Sequence, residues 1–259
     1  MEVVIVPDSV AIAEIGAEIV AAQVAAQPGS TLGLATGSSP LGTYRVLIER
    51  HRAGELSFAN CAAVMLDEYV GLDTDHPQSY RAVIRREFVD HIDVPLDRLH
   101  SPDVGAADLA ASCARYDAVV AELGVDVQLL GIGSDGHLAF NEPGSSLGSR
   151  TRIKTLTDQT RIDNARFFAA LEEVPRHVVT QGLGTILDAA HLVLLASGEA
   201  KAAPIAAAVE GPVTAMCPAS IVQHHPHVTV VIDEPAAGQL ERAAYYRETL
   251  AHKPAWQRF

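Results

Sequence analysis

Basic side chains are scarce in this 259-residue chain: 19 Lys and Arg stand against 32 Asp and Glu, a net charge of −13. That balance repels phosphate backbones and argues against a nucleic-acid surface. No run of five like charges occurs, so an interaction tail is not expected either. Cysteine is equally rare. Cys61, Cys113 and Cys217 are far apart and odd in number, with no C-x-x-C pair. They build neither a zinc ribbon nor a disulfide framework, and they predict a reducing, cytoplasmic setting with no metal. No stretch approaches the length of a membrane span, and MEVVIVPDSV carries Glu2 where a signal peptide wants basic residues. Nothing therefore points to a membrane partner. G-x-G-x-x-G and the Walker ending G-K-[ST] are missing, which leaves a nicotinamide cofactor and a P-loop unsupported. No G-x-S-x-G elbow supplies a nucleophile for acyl transfer.

What is present is a hydrophobic content of 48%, enough for a sizeable core. One large α/β domain over 1–259 is expected. Short apolar runs (Val3–Val6, Leu32–Ala35, Ala62–Leu66, Val127–Leu130, His191–Ala196, Val228–Ile232) alternate with helical patterns at Ser9–Ala26, through Ala53, Ser79–Val89, Ala107–Leu123, Gln159–Ala170, Lys201–Val209 and Glu234–Leu250. Asp8 or Ser9 would cap the first helix. This rhythm predicts an open, mostly parallel sheet with helices on both faces. The irregular segment 134–158, ending in an added strand at Arg152–Leu156, is a candidate lid.

Parallel sheets bind ligands outside the carboxyl ends of their strands. Three motifs stand at such ends. Thr36-Gly37-Ser38-Ser39-Pro40 joins a strand to a helix, where small residues, hydroxyls and free N–H groups suit an anion. An ordinary Ser N-cap with Pro at N1 fits the same residues, and both readings stand. Asp67-Glu68-Tyr69 follows Leu66, and partial desolvation of Asp67 would raise its pKa toward a general base. An Asx-turn is the plain alternative. In GIGSDGHLAFNEP (131–143), Gly133 and Gly136 permit a sharp turn. Asp135 and His137 are placed to pair, and Glu142 could hold the ring from elsewhere. A carboxylate on one imidazole nitrogen makes the other a better base, so proton transfer is the expected chemistry.

Weaker candidates remain open. His224, His225 and His227 surround Pro226 and read as a polar loop more than a metal cluster. Arg150, Arg152 and Lys154 form a basic patch, either a solvated strand face or a second anion site. Arg166 and Lys201 are either phosphate clamps or surface charges.

Together, LGLATGSSPLGTY, LDEYVGL, GIGSDGHLAFNEP, SRTRIKTL and the AAVEG segment resemble the glucosamine-6-phosphate deaminase (isomerase) family over nearly the whole chain. The G-x-G-x-D-G-H portion is shared with 6-phosphogluconolactonases, whereas FNEP followed by SRTRIKTL is similar to the deaminases. The resemblance implies conversion of glucosamine 6-phosphate and water to fructose 6-phosphate and ammonium, in amino-sugar catabolism and without a cofactor. It implies that Asp67 moves the C2 proton to C1 and that His137 opens the ring, with Asp135 and Glu142 as charged partners. Thr36, Gly37, Ser38 and Ser39, with Arg166 and Lys201, would hold the phosphate. Some members are hexamers activated by N-acetylglucosamine 6-phosphate. Ser145, Arg152, Lys154, Thr155 and Tyr245 match that allosteric site, so the resemblance implies a homo-oligomer. The tail ETLAHKPAWQRF departs from the family pattern around Tyr245. The competing expectations are a lactonase, a galactosamine-6-phosphate isomerase, and a non-catalytic sugar-phosphate sensor. The last is disfavoured by the acidic balance and by a chain that starts directly on strand one.

Overall fold

The computed structural model describes the chain except residues 166, 167, 169, 255 and 258 and the side chains of 159 and 163. Its first half runs β1 (Glu2–Val6), α1 (Ser9–Ala26), β2 (Thr31–Leu34), α2 (Leu41–Arg52), β3 (Ala62–Met65), β4 (Asp67–Tyr69), α3 (Tyr80–Glu87), β5 (Leu99–His100) and α4 (Leu109–Leu123). The second half runs β6 (Val127–Leu130), β7 (Arg152–Thr155), α5 (Asp158–Ala165), β8 (His177–Thr180), α6 (Leu183–Leu187), β9 (His191–Ala196), α7 (Ala202–Val209), β10 (Val228–Asp233) and α8 (Ala243–Ala251).

Seven strands form a wholly parallel sheet in the order β1-β10-β9-β6-β2-β3-β5. Both faces are packed, which is why these strands read as unbroken apolar runs. In β9, Leu192 and Leu194 join one hydrophobic cluster, while Val193 and Leu195 join the cluster on the opposite face. The chain moves outward from β2 to β3 and β5, then returns to the other side of β2 as β6. That reversal opens a crevice at the carboxyl ends of β2 and β6, where a parallel sheet takes its ligand.

A second, antiparallel sheet, β4-β8-β7, stands beside this crevice, with Asp67 paired to Thr180 and Arg152 also to Thr180 across β8. Asp67-Glu68-Tyr69 is thus a strand of its own and not the tail of β3. The added strand predicted within 134–158 is present as β7. The rest of that segment is anchored in the protein: Leu138 and Asn141 are fully buried.

Several differences from the sequence reading have local causes. The helix expected over 234–250 forms only at Ala243–Ala251, because Asp233 turns the chain by accepting the N–H of Ala236, and Pro235 and Gly238 follow. The strands at Leu99–His100 and His177–Thr180 are too short for a pattern to register. The 18 residues of α1 have a mean hydropathy of 1.5 and are long and apolar enough to cross a membrane by length and composition, contrary to expectation. Here Ile12, Ala17, Ile19, Val20 and Val24 are buried, and the helix packs on α2, β9 and β10. Asp8 caps it through bonds to the N–H groups of Val10 and Ala11.

Candidate active site

Two buried tyrosines fix the strand ends from which the site loops depart. The Tyr44 hydroxyl donates to the Ala35 carbonyl at 2.8 Å and accepts the Ala35 N–H at 3.1 Å. Tyr116 does the same for Met65, at 2.6 and 2.9 Å. Each ring therefore satisfies both backbone groups of a residue that has left its ladder. Burial pushes both phenols far above their ordinary pKa.

Beyond Ala35, the loop Thr36–Ser39 enters α2 with Pro40 in the capping position and no side-chain capping bond. The Ser N-cap reading is therefore not realised. Among the described residues no backbone bond takes up the N–H groups of Gly37, Ser38 and Ser39, and no hydrogen bond engages the three hydroxyls. Amides, hydroxyls and the positive end of a helix point together, as an anion site requires. This loop lines a cleft of about 740 Å³, with Asp67, His137 and Lys201 among its other walls. The Lys201 ammonium donates to the Ile132 carbonyl at 2.6 Å. Arg166 lies outside the described residues.

Asp67 is 6% exposed, and no described residue donates a hydrogen bond to its carboxylate. Burial, then the charge of neighbouring Glu68, pushes its pKa up to about 8. The Asx-turn alternative is absent, and the desolvated base expected from sequence is present.

Across the cleft, His137 Nδ1 lies 2.6 Å from Asp135 Oδ1, and the His137 N–H donates to the same oxygen at 3.1 Å. The imidazole holds the Asp135 carboxyl below its usual range. With Nδ1 against the carboxylate, Nε2 is the nitrogen left for a ligand. Glycine at 133 is a requirement of this arrangement, since a Cβ there would sit 2.2 Å from the imidazole. Gly136 turns with φ +82°, and a Cβ on it would meet the Cys217 sulfur at 2.7 Å. Ala139, which also lines the cleft, holds a left-handed φ of 51°, a strained conformation for a residue with a side chain.

Glu142 departs from the expected role of a direct partner to His137. It is buried, and its carboxylate accepts the Thr160 hydroxyl at 2.5 Å and the Thr157 hydroxyl at 3.4 Å. Thr160 lines the cleft, so Glu142 supports the wall from behind. The five residues of the expected second site are not gathered within one chain. Ser145 is buried with an unpartnered Oγ, while Arg152, Lys154 and Thr155 lie on β7. Tyr245, 58% exposed, stands on α8 beside Tyr246. Arg150 is occupied by Asp117 and Asp188. His225 uses its ring on the Ala189 and His227 backbone, as a structural histidine does.

Sequence reasoning overlooked an aromatic wall. Tyr69 and Tyr80 lie 4.7 Å apart between ring centroids, with Phe140 and Phe168 beside Tyr69. The Tyr69 hydroxyl accepts from Tyr80 at 3.2 Å and from Asn164 at 3.0 Å. These residues come from four separate segments, so no local spacing signals them.

Fold and cleft together define an α/β protein that seats a small anionic molecule against two acid–base groups at a switch point. The chain belongs to the family described as glucosamine-6-phosphate isomerases/6-phosphogluconolactonase, whose model matches residues 9–231. Glucosamine-6-phosphate deaminase of Rhodococcus jostii is 59% identical over 100% of both chains, and that of Streptomyces coelicolor 57% over 99% of each. A solved structure of a monomeric glucosamine-6-phosphate deaminase matches with a TM-score of 0.89 at 44% identity, over 92% of this chain and 100% of that one. A 6-phosphogluconolactonase from Trypanosoma cruzi, at 21% identity and a TM-score of 0.74 over 93% and 97%, shares the fold.

Proposed function

We propose that this chain is a glucosamine-6-phosphate deaminase. The observation that carries the reading is Asp67, a buried carboxylate without hydrogen-bond donors on the wall between an anion loop and an imidazole. Lactone hydrolysis has no use for a carbon base. Moving a proton from C2 to C1 of an amino sugar needs one.

The substrate phosphate occupies the amides and hydroxyls of Thr36–Ser39, with Lys201 and Arg166 supplying positive charge. His137 Nε2, oriented by Asp135, takes the proton of the C1 hydroxyl and returns one to the ring oxygen, which opens the sugar. Asp67 then removes the C2 proton, giving an enolamine, and delivers a proton to C1. The resulting C2 imine adds water and expels ammonia, leaving fructose 6-phosphate. Full-length relatives named as deaminases support this choice over the lactonases, which match at low identity.

The reading brings several finer proposals. The chain works in the cytoplasm as one catalytic unit over 1–259, with 134–158 as its cover. Ser145, Arg152, Lys154 and Thr155 make a second phosphate site for N-acetylglucosamine 6-phosphate, completed by Tyr245 of a neighbouring copy in a homo-oligomer. The unpartnered Ser145 hydroxyl favours that site, and the monomeric relative counts against the assembly. Sedimentation with and without the activator, alongside substrate–velocity curves, decides both.

The test of the activity is release of ammonium and fructose 6-phosphate from glucosamine 6-phosphate, with 6-phosphogluconolactone and galactosamine 6-phosphate as parallel substrates. Equal yields of both products from the first substrate are expected. Turnover confined to either of the others transfers the chain to that reaction, and binding without any turnover makes it a sensor.

A further inference from the structure

A second carboxylate stands directly behind the first. Along β4 the side chains alternate, so Asp67 and Tyr69 line the cleft while Glu68 turns to the start of α3. Glu68 is 2% exposed. Its oxygens accept the N–H groups of Tyr69, Tyr80 and Arg81, each at 2.8 Å. The α3 N-terminus is thereby accounted for, since Ala82 donates to the Ser79 hydroxyl at 3.1 Å and Val83 to the Ser79 carbonyl at 3.0 Å.

No cation neutralises Glu68 directly. The Arg81 guanidinium is used on the Leu99 carbonyl and the Ser101 hydroxyl. Elsewhere in the chain capping is done cheaply, by solvent-exposed Asp8 on α1 and Asp108 on α4. A buried carboxylate is a costly cap, and one lying twelve residues before its helix has a further use.

We infer that Glu68 is a positioning residue for the carbon base: locked on three amides, it keeps a fixed negative charge behind Asp67 and fastens α3, with Tyr80, to the cleft wall. Other groups around Asp67 are the phenols of Tyr69, Tyr80 and Tyr116, Arg81 on α3, and His137 and Lys201 across the cleft. Glu68 is the one whose charge acts on Asp67 in the raising direction, after burial itself. Burial pushes Glu68 up too, but its three amides pull against that push, whereas Asp67 has no such donors. Two adjacent carboxyls are so driven apart into a permanent anion and a strong base.

This inference rests on Asp67 acting as the carbon base of the proposed deaminase. It is tested on the full-length protein with Glu68→Gln and Glu68→Asp, by carboxyl-carbon NMR titration of Asp67 and by kcat/KM against pH. In Glu68→Gln the Asp67 midpoint should fall by about one unit, a tenfold change in its protonation equilibrium. Glu68→Asp keeps the charge and should keep the wild-type midpoint while losing rate. An unmoved midpoint in Glu68→Gln, or an equal fall in both variants, overturns the inference and leaves Glu68 a structural cap. Should Glu68→Gln fail to fold, the wild-type titration still decides: Glu68 ionised throughout while Asp67 titrates last supports the pairing, and the reverse order refutes it. The NMR arm needs no turnover, so failure of the pairing and failure of the deaminase reading are separate results.

Discussion

The parallel sheet and the small antiparallel sheet meet at one cleft but contribute opposite chemistry. β2, β3 and β6 are fully buried apolar strands, and what they bring to the cleft is backbone: free amides after Ala35 and the glycine turn after Leu130. β4 of the small sheet brings ionisable side chains, Asp67 and Glu68, into a buried place. β7 alternates between half-buried and exposed residues. The larger sheet is a rigid mount for binding an anion, and the smaller one carries the base. Affinity and turnover should therefore come apart under mutation.

The largest effect is expected from the small sheet. Asp67→Asn removes the carbon base and should lower kcat by about 10²–10⁴-fold with KM little changed. Turnover surviving in that variant would remove Asp67 from its role while leaving the activity in place. Next comes the turn that seats the second base. Gly133→Ala puts a Cβ 2.2 Å from the His137 ring, and a displacement of that kind should cost on the order of 10²-fold in kcat/KM. A crystal structure of the variant would show the imidazole moved off Asp135.

On the side of the larger sheet, Tyr44→Phe leaves the buried Ala35 N–H and carbonyl without their hydroxyl, at a cost of about 1–3 kcal/mol in stability. Because it loosens the anion loop, KM should rise more than kcat falls. A kcat loss with KM unchanged would break the division between the two sheets. The smallest effect is expected on the outer side of β7. Ile153 is 39% exposed, and Ile153→Thr should shift stability by no more than about 0.5 kcal/mol in a denaturant titration.

Much of the larger sheet was legible because its strands are buried on both faces and bounded by capped helices. His191–Ala196 and Val127–Leu130 fall where their apolar runs end. The site loops were legible because glycines, hydroxyls and carboxylates cluster just past those runs. What stayed hidden depends on contacts far apart in sequence. Glu68 reaches an α3 amide thirteen residues on, Tyr69 meets Asn164 ninety-five residues away, and Glu142 finds Thr160 in place of the imidazole. The short strand β8, which converts Asp67-Glu68-Tyr69 from loop into sheet, carries only four residues of pattern.

The central claim is that a buried, strongly basic Asp67 drives the carbon proton transfer, and kcat/KM for ammonium release against pH tests it most directly. Only the ionised carboxyl can accept the C2 proton, so a pKa raised to about 8 moves the ascending limb of the free enzyme up to that pH. The substrate ammonium favours the carboxylate, so the limb in kcat should lie lower. A kcat/KM profile that climbs through about 8, and is abolished in Asp67→Asn, is the predicted result. A profile already level from pH 6, or one unchanged by that substitution, would contradict it.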